Sequence, residues 1–547
     1  MSRIAVASMV VLLAPCAAQA KDFYVDPATG SSAGDGSVDK PWKTIQEVLE
    51  ANLVETQNWS ALPYVAGTSV LAPKNAGAPI KAGDTVWLRS GNHGTLLIQS
   101  AYNQSPITIA AQQGHTPQVA RIHVQSGSGW IVRGLEVSPT FAATYATDTM
   151  VFVENHGWRG PSHDVTIEGC RVFSVEDTSA WTDVDWNDKS ANGITVQGDE
   201  VTVRGNTLKN VNFGIQASGK NDLIEKNVVE NFAGDGLRGL GDYEVFQYNT
   251  VKNCYAVNAN HDDGFQSWSV GADGKVGTGE VKGIVLRGNF ILNYSDPNQP
   301  YRGTLQGIGC FDGFYVDWVV ENNVIVTDHW HGITLLGARN VRIVNNTVLD
   351  LNDTSPGPPW ISIGKHKDGR ASEDIVVRNN LATDFTLEAT RLTDDHNTTL
   401  TAANTAALFV NAPADVHLKE GSPAIDTGSP DLAPTVDLEG VPRPQGAAVD
   451  LGAYEFHTGP IAYPDGGMGP ADAAATAADT GTPSASDSGA GLVTDGGAAA
   501  VADGGGSSVA PSGCGCAAGV GAGPMTWLGL ALLIAGRRSR LQPGSHD

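Results

Sequence analysis

Between residues 165 and 382 apolar and polar positions alternate in short runs, and each run closes on an asparagine. The runs are Val203-Arg204-Gly205-Asn206, Ile224-Glu225-Lys226-Asn227, Phe246-Gln247-Tyr248-Asn249, Leu286-Arg287-Gly288-Asn289, Val320-Glu321-Asn322-Asn323, Val344-Asn345-Asn346 and Val377-Arg378-Asn379-Asn380. Alternation of this kind is the period of a strand with one buried face. The asparagines step by 21, 22, 40, 34, 23 and 34 positions. The short steps are one coil each, and the long ones are a coil plus a surface loop, at 272–280, 294–304 and 353–359. One asparagine at the same turn of every coil can stack into an amide ladder. A second column stands 13 residues ahead of Asn206, Asn227 and Asn249, at Gly193, Gly214 and Gly236. Gly264, Gly307 and Gly332 continue it, and an apolar residue follows each of the six. Two columns in phase predict an all-β solenoid, a single-stranded right-handed parallel β-helix. Its open end needs a cover, and Trp42, Ile45, Val48, Leu49 and Leu53 form one helical stripe. They predict an N-terminal capping helix over 41–53, started by Asp39 and Pro41.

The ends of the chain read differently. Arg3, an apolar stretch over 4–13 and Ala18-Gln19-Ala20 have the layout of an export signal spanning 1–20. Residues 457–510 are mostly Gly, Ala, Asp, Ser, Thr and Pro, a composition that buries too little to fold and so predicts a stalk. In 511–547, Cys514 and Cys516 precede an apolar segment, then Arg537, Arg538 and Arg540, which predicts a surface anchor with the arginines cytoplasmic. The folded body is therefore expected at 21–456. Over the whole chain, 65 glycines and 7% aromatic content favour turns and strands, and a net charge of −25 argues against nucleic acid as a partner. Of six cysteines, Cys170, Cys254 and Cys310 lie in the body, so one disulfide at most can form there and none is required. A monomer that meets the membrane only through its tail is expected.

Candidate chemistry lies beside the glycine column. The residues just before its glycines are Asn192, Phe213, Asp235, Asp263, Gln306 and His331. Two residues past them come Thr195, Gln216, Arg238, Gln266, Gly309 and Thr334. Flanking an inward apolar residue, these positions are expected to face solvent. The densest point is His261-Asp262-Asp263-Gly264-Phe265-Gln266-Ser267-Trp268. Adjacent carboxylates with Asp235 one coil away repel unless a cation or a shared proton relieves them. Asp235, Asp262 and Asp263 are thus the expected ligands of Ca²⁺. His331, His261, Arg238 or Lys365 would supply the catalytic base. Gln266 with Trp268, Trp330 and Tyr301 would bind substrate, since aromatic faces stack on sugar rings.

Resemblances add to this. Asp22-Phe23-Tyr24-Val25-Asp26-Pro27, Gly34-Asp35-Gly36-Ser37 and Pro41-Trp42-Lys43-Thr44-Ile45-Gln46 look like the opening of pectate-lyase-like β-helix proteins. Gly83-Asp84-Thr85-Val86-Trp87-Leu88-Arg89 resembles their first strand, and 422–428 with 450–456 their ending. Asp262-Asp263-Gly264-Phe265 is similar to the calcium turn of family-9 polysaccharide lyases, with Ser267 and Trp268 near the place of their lysine. Asp-Asp followed by His331-Gly332-Ile333 is also similar to polygalacturonases, although here the two motifs lie two coils apart. The tail resembles the sorting signals of myxobacterial surface proteins. Together these imply an exported, surface-attached enzyme acting on polysaccharide. The reading preferred is a lyase that cleaves uronate-containing chains by β-elimination. The alternatives are an inverting hydrolase, with carboxyls about 6.5–9.5 Å apart, and a non-catalytic polysaccharide-binding protein.

Overall fold

The computed structural model describes residues 20–352 and 354–459. The expected export signal at 1–20 (all but Ala20), most of the expected stalk at 457–510 and the expected anchor at 511–547 lie outside the described residues.

One coil shows the architecture. Ile194–Val196, Thr202–Arg204 and Thr207–Val211 are three short strands lying on three faces. Each pairs in parallel with its counterpart one coil later, at Ile215–Ala217, Leu223–Glu225 and Val228–Phe232. On the first face the register runs Ile194, Ile215, Leu237, Phe265, Ile308, Ile333 and Ile361, all buried. The predicted glycine column therefore stands where expected, one residue ahead of this row. Inward side chains of all three faces fill one long core. A chain of 21–23 residues per coil can bury so much because every coil is covered by the next.

The asparagine column is a continuous ladder. The backbone N–H and side-chain Nδ2 of Asn206, Asn227, Asn249, Asn289, Asn323, Asn346 and Asn380 each donate to Oδ1 of the next asparagine, at 2.9–3.1 Å. The last acceptor is Asn397. The residue before each ladder asparagine has a left-handed backbone: Gly205, Lys226, Tyr248, Gly288, Asn322, Asn345 and Asn379. That is why Gly or Asn recurs there, since other residues adopt this conformation at a steric cost. Asn210, Asn231 and Asn253 form a second, shorter ladder at another corner.

Two sequence expectations change. The helix foreseen over 41–53 is confined to Ile45–Glu50 and capped by Thr44, whose side chain accepts from Glu47 N at 3.1 Å. Asp39 is not its cap. Trp42 instead continues an extended run, bridging Val25 and stacking on Phe23 with ring centroids 5.5 Å apart. The step from Cys170 to Asn206 also hides a loop, which carries the helix Asp183–Lys189 with a Thr182–Asp185 capping box. Finally, Cys170, Cys254 and Cys310 are all buried and unbridged.

Two further features frame the site. The C-terminal segment returns along a corner, where Asn379, Asn345 and Asn322 bond Ser429, Asp450, Gly452 and Val436. A fully buried Arg443–Glu455 pair at 2.9 Å locks it. The inward corner row beside the first face runs Val201, Asp222, Glu244, Ile284 and Trp318, placing two enclosed acids in an apolar stack.

Candidate active site

The first face carries the site because its outward row is chemically unlike its neighbours. Gln216, Arg238, Gln266, Gly309, Thr334 and Ser362 follow one another in register. One edge of this row is the residue ahead of the glycine column, Asp235, Asp263 and Gln306 in successive coils.

These carboxyls are not solvent-facing, as the alternation had suggested. Asp235, Asp262 and Asp263 are 3%, 4% and 0% exposed. Asp235 turns onto Arg238 (Nε to Oδ2, 2.5 Å) and accepts the Asp263 backbone N–H at 3.0 Å. Arg238 lies over the Phe213 ring at 3.7 Å from its centroid, with Trp268 at 5.3 Å, so its stem and plane close off that carboxyl. Asp263 accepts from Gln266 Nε2 at 2.8 Å. Its other oxygen leans into the gap left by Gly309, where a Cβ would lie 2.0 Å from it, with the edge of Phe311 alongside. Asp262 accepts from the Cys254 thiol at 3.5 Å. The missing side chain at Gly309 is thus what lets a buried acid approach the surface row.

Burial dominates the titration of these groups. It pushes Asp262 up to about 8, with neighbouring Asp235 adding to the shift. It raises Asp263 well above the ordinary carboxylate range, again with Asp235 behind it. Asp235 is raised by burial too, against the pull of Arg238. Burial therefore favours the neutral form of Asp262 and Asp263, and Arg238 supplies the counter-charge beside Asp235.

Histidines gather farther along the first face. Burial, the His329 ring and then His261 lower His331 to about 4, and burial followed by His261 lowers His329 to about 4. Both rings are neutral, and their protons can be placed. Trp360 Nε1 can only donate, and it approaches His331 Nδ1 at 3.3 Å and Thr334 Oγ1 at 3.1 Å. Thr334 Oγ1 lies 3.0 Å from the same His331 nitrogen. His331 Nδ1 is the acceptor and Nε2 holds the proton. His329 Nδ1 likewise accepts the His331 backbone N–H at 3.2 Å. In this state His331 presents a donor to the groove rather than a base. It also stands apart from the guanidinium, since the Arg238 and Thr334 positions are three coils apart, about 14 Å. His261 precedes Asp262 in the coil next to that of Arg238 and is exposed.

The remaining expected residues fall at the margins. Trp330 is 40% exposed and stacks near Trp360, at 6.3 Å between centroids and 18° between planes. Tyr301 is 36% exposed, and its hydroxyl lies 3.5 Å from Trp181 O. Trp181 belongs to the loop missed in the sequence, whose Trp186 stacks on Tyr255 with ring centroids 4.4 Å apart. Lys365 is not gathered into the cluster. It lies beyond Ser362, four coils from Arg238, and pairs with Glu388 at 2.5 Å in solvent. His329 and Phe311 were missed, and Phe213, though named beside the glycine column, was given no role. Only His329 had a signal, the His-Trp-His string.

Calcium does not fit the three aspartates. It takes about 6–8 oxygens, whereas Asp235 spends both of its oxygens on Arg238 and a backbone amide. Asp263 and Asp262 each give one oxygen to Gln266 and Cys254, which leaves one apiece without a partner. Among the described residues, no three His, Cys, Asp or Glu side chains are placed to share a metal ion. No step is routed through calcium.

Comparison with known proteins bears on the fold. Residues 192–355 match the family of right-handed β-helix regions. No curated protein sequence matches the chain. Pectate lyase Pel9A is a similar solved structure, at 14% identity and TM-score 0.42, covering 80% of this chain and 96% of that one. A lacto-N-biosidase from Eubacterium ramulus has 16% identity and TM-score 0.35, covering 69% of this chain and 67% of its own. The mannuronan C-5 epimerase AlgE6 A-module of Azotobacter vinelandii has 13% identity and TM-score 0.37, covering 58% of this chain and 91% of the module. The coils that carry the groove are a right-handed parallel β-helix.

Proposed function

We propose that the first-face groove is the active site of an exported, surface-attached polysaccharide lyase that cleaves uronate-containing chains by β-elimination. The observation that carries this reading is which groups reach solvent. Arg238, His261, His329 and His331 do so, while Asp235, Asp262 and Asp263 lie beneath at 0–4% exposure. An inverting hydrolase needs two carboxyls that touch the bond and a water between them. An elimination needs a cation on the uronate carboxylate and a base at the carbon beside it.

Arg238 and Gln266, adjacent in register, are placed to hold that carboxylate. Pairing it with a guanidinium acidifies the proton on C5. His261, in the coil beside Arg238, takes this proton. The C5 electron pair forms the C4–C5 double bond, and the C4–O4 bond breaks. The imidazolium can return its proton to the departing oxygen. Neutral His329 and His331 donate from Nε2 to oxygens of sugars farther along, and Trp330 and Trp268 offer ring faces. Export and surface attachment rest on the sequences of 1–20 and 511–547.

The test is incubation with a panel of uronate polysaccharides, following the ultraviolet band of unsaturated uronate together with reducing ends. Both should rise, and His261→Ala should lower the rate by about 10²–10⁴-fold. Reducing ends without the ultraviolet band would mean hydrolysis. Binding with neither product would mean a non-catalytic module.

A further inference from the structure

We propose that Asn187 is a positioning residue, clamping the loop 255–262 from outside the coil and so holding His261 in place. Its catalytic meaning rests on the reading of His261 as the base, while the clamp itself can be tested without turnover.

His261 is exposed, and among the described residues no hydrogen bond or ion pair reaches its imidazole. A base is ordinarily aimed by a further group that fixes its ring. Here the ring can be placed only by the backbone that carries it. The flanking strands end at Cys254 and resume at Asp263. Between them the Tyr255 backbone N–H donates to Phe232 O at 2.7 Å and that of Ala256 to Tyr301 O at 2.9 Å, which fixes the root of the loop. Residues 258–261 are exposed. They are held by Asn187, whose Nδ2 donates to Val257 O at 3.1 Å and whose Oδ1 accepts from Asn258 Nδ2 at 2.8 Å. Asn258 Oδ1 in turn accepts the Asn260 backbone N–H at 2.8 Å, closing a turn that ends one residue before His261.

A clamp needs a footing, and the helix Asp183–Lys189 has one. Trp186 is 1% exposed and lies between Tyr255, on which it stacks, and Trp181, edge-on at 5.2 Å. The Tyr145 hydroxyl donates to Lys189 O at 2.6 Å, and the Ala191 backbone N–H donates to Ser174 Oγ at 2.8 Å. Asn187 is itself tied back by donating to Asp183 O at 2.8 Å. The coil closes without the insertion, since the Cys170 backbone N–H already donates to Asn206 Oδ1 across it. What the insertion adds is a hold on one exposed loop, the one that bears His261.

The full chain and its variants are assayed on polygalacturonate and alginate, and amide hydrogen exchange is followed over 255–262. Asn187→Ala should leave Tm nearly unchanged, because the side chain is exposed, and should speed exchange in that segment. It should lower kcat by about 10–100-fold, the scale of a 1 Å misplacement. KM should change little, because Arg238 and Gln266 are untouched. In a His261→Ala background the same substitution should cost nothing further. Asn258→Asp keeps the acceptor for Asn260 and loses the donor to Asn187, so it should reproduce part of the effect. Unchanged exchange over 255–262 overturns the clamp. Faster exchange with full activity overturns its role in placing His261, as does a loss that persists in full in the His261→Ala background. A parent protein that yields no unsaturated uronate from either polymer counts against the lyase reading instead, and exchange still decides whether Asn187 holds the loop.

Discussion

The outward rows of the first and second faces use charge in opposite ways. On the second face Arg133, Glu168, Arg204, Glu225, Gln247, Arg287 and Glu321 succeed one another in register. Arg133 pairs with Glu168 at 2.5 Å, Arg204 with Glu168 at 3.2 Å and Arg287 with Glu321 at 2.6 Å, so each charge has an opposite neighbour. Around the first face acids meet acids, Asp235 with Asp262 and Asp263 outside and Asp222 with Glu244 inside. One solenoid, built by one repeat, thus compensates charge where it needs only to stand. At the carboxyl cluster it buries acid against acid, with Arg238 paired to Asp235 alone. Fold stability does not ask for the second arrangement, which is why it marks function better than any single residue does.

The same chemical change should then have opposite signs on the two sides. The largest effect is expected at Asp222, which burial raises to about 7 from an ordinary 3.8. Because the folded form binds the proton more tightly, stability is fullest below pH 3.8 and declines as pH rises toward 7. Asp222→Asn should remove that decline and gain up to about 4 kcal/mol at pH 8, with no gain at pH 3. Denaturant unfolding across pH checks it, and a gain independent of pH would refute the buried-acid account. On the second face Glu321→Gln should instead destabilise by about 1–3 kcal/mol. This carboxylate is 4% exposed and serves both Arg287 and Arg342. Smallest is Glu225→Gln, whose partner Arg204 lies 3.6 Å away and 46% exposed. A loss below about 0.5 kcal/mol that vanishes at high salt is expected. A large loss there would mean the alternating row bears more of the fold than surface pairs usually do.

Much of the fold could be read in advance because its two columns are local in sequence. Asn206 and Gly193 repeat whatever lies between the coils, and the structure threads them into rows. The site was legible by position and not by environment. The glycine column locates Asp263, two residues before the inward Phe265, but its expected solvent-facing orientation is wrong, and no pattern announces that its carboxyl lies against Gly309 with Phe311 alongside. The proton placement on His331 depended on Trp360, 29 residues away, and so could not be inferred from a motif. The Asp183–Lys189 loop could have been found, since Cys170 to Asn206 is a 36-residue step that demands an insertion.

The asparagine ladder has one further consequence. Every link makes the same pair of bonds, yet the chain between successive asparagines ranges from 17 residues, Asn380 to Asn397, to 40, Asn249 to Asn289. Pitch and contour length are therefore uncoupled. A loop can lengthen, shorten or be exchanged for another without advancing or retarding the coil that follows. The axis behaves as a ruler, and the loops as free text written against its marks. New walls for the groove can be acquired by insertion at a corner, and the row of side chains forming its floor keeps its spacing throughout.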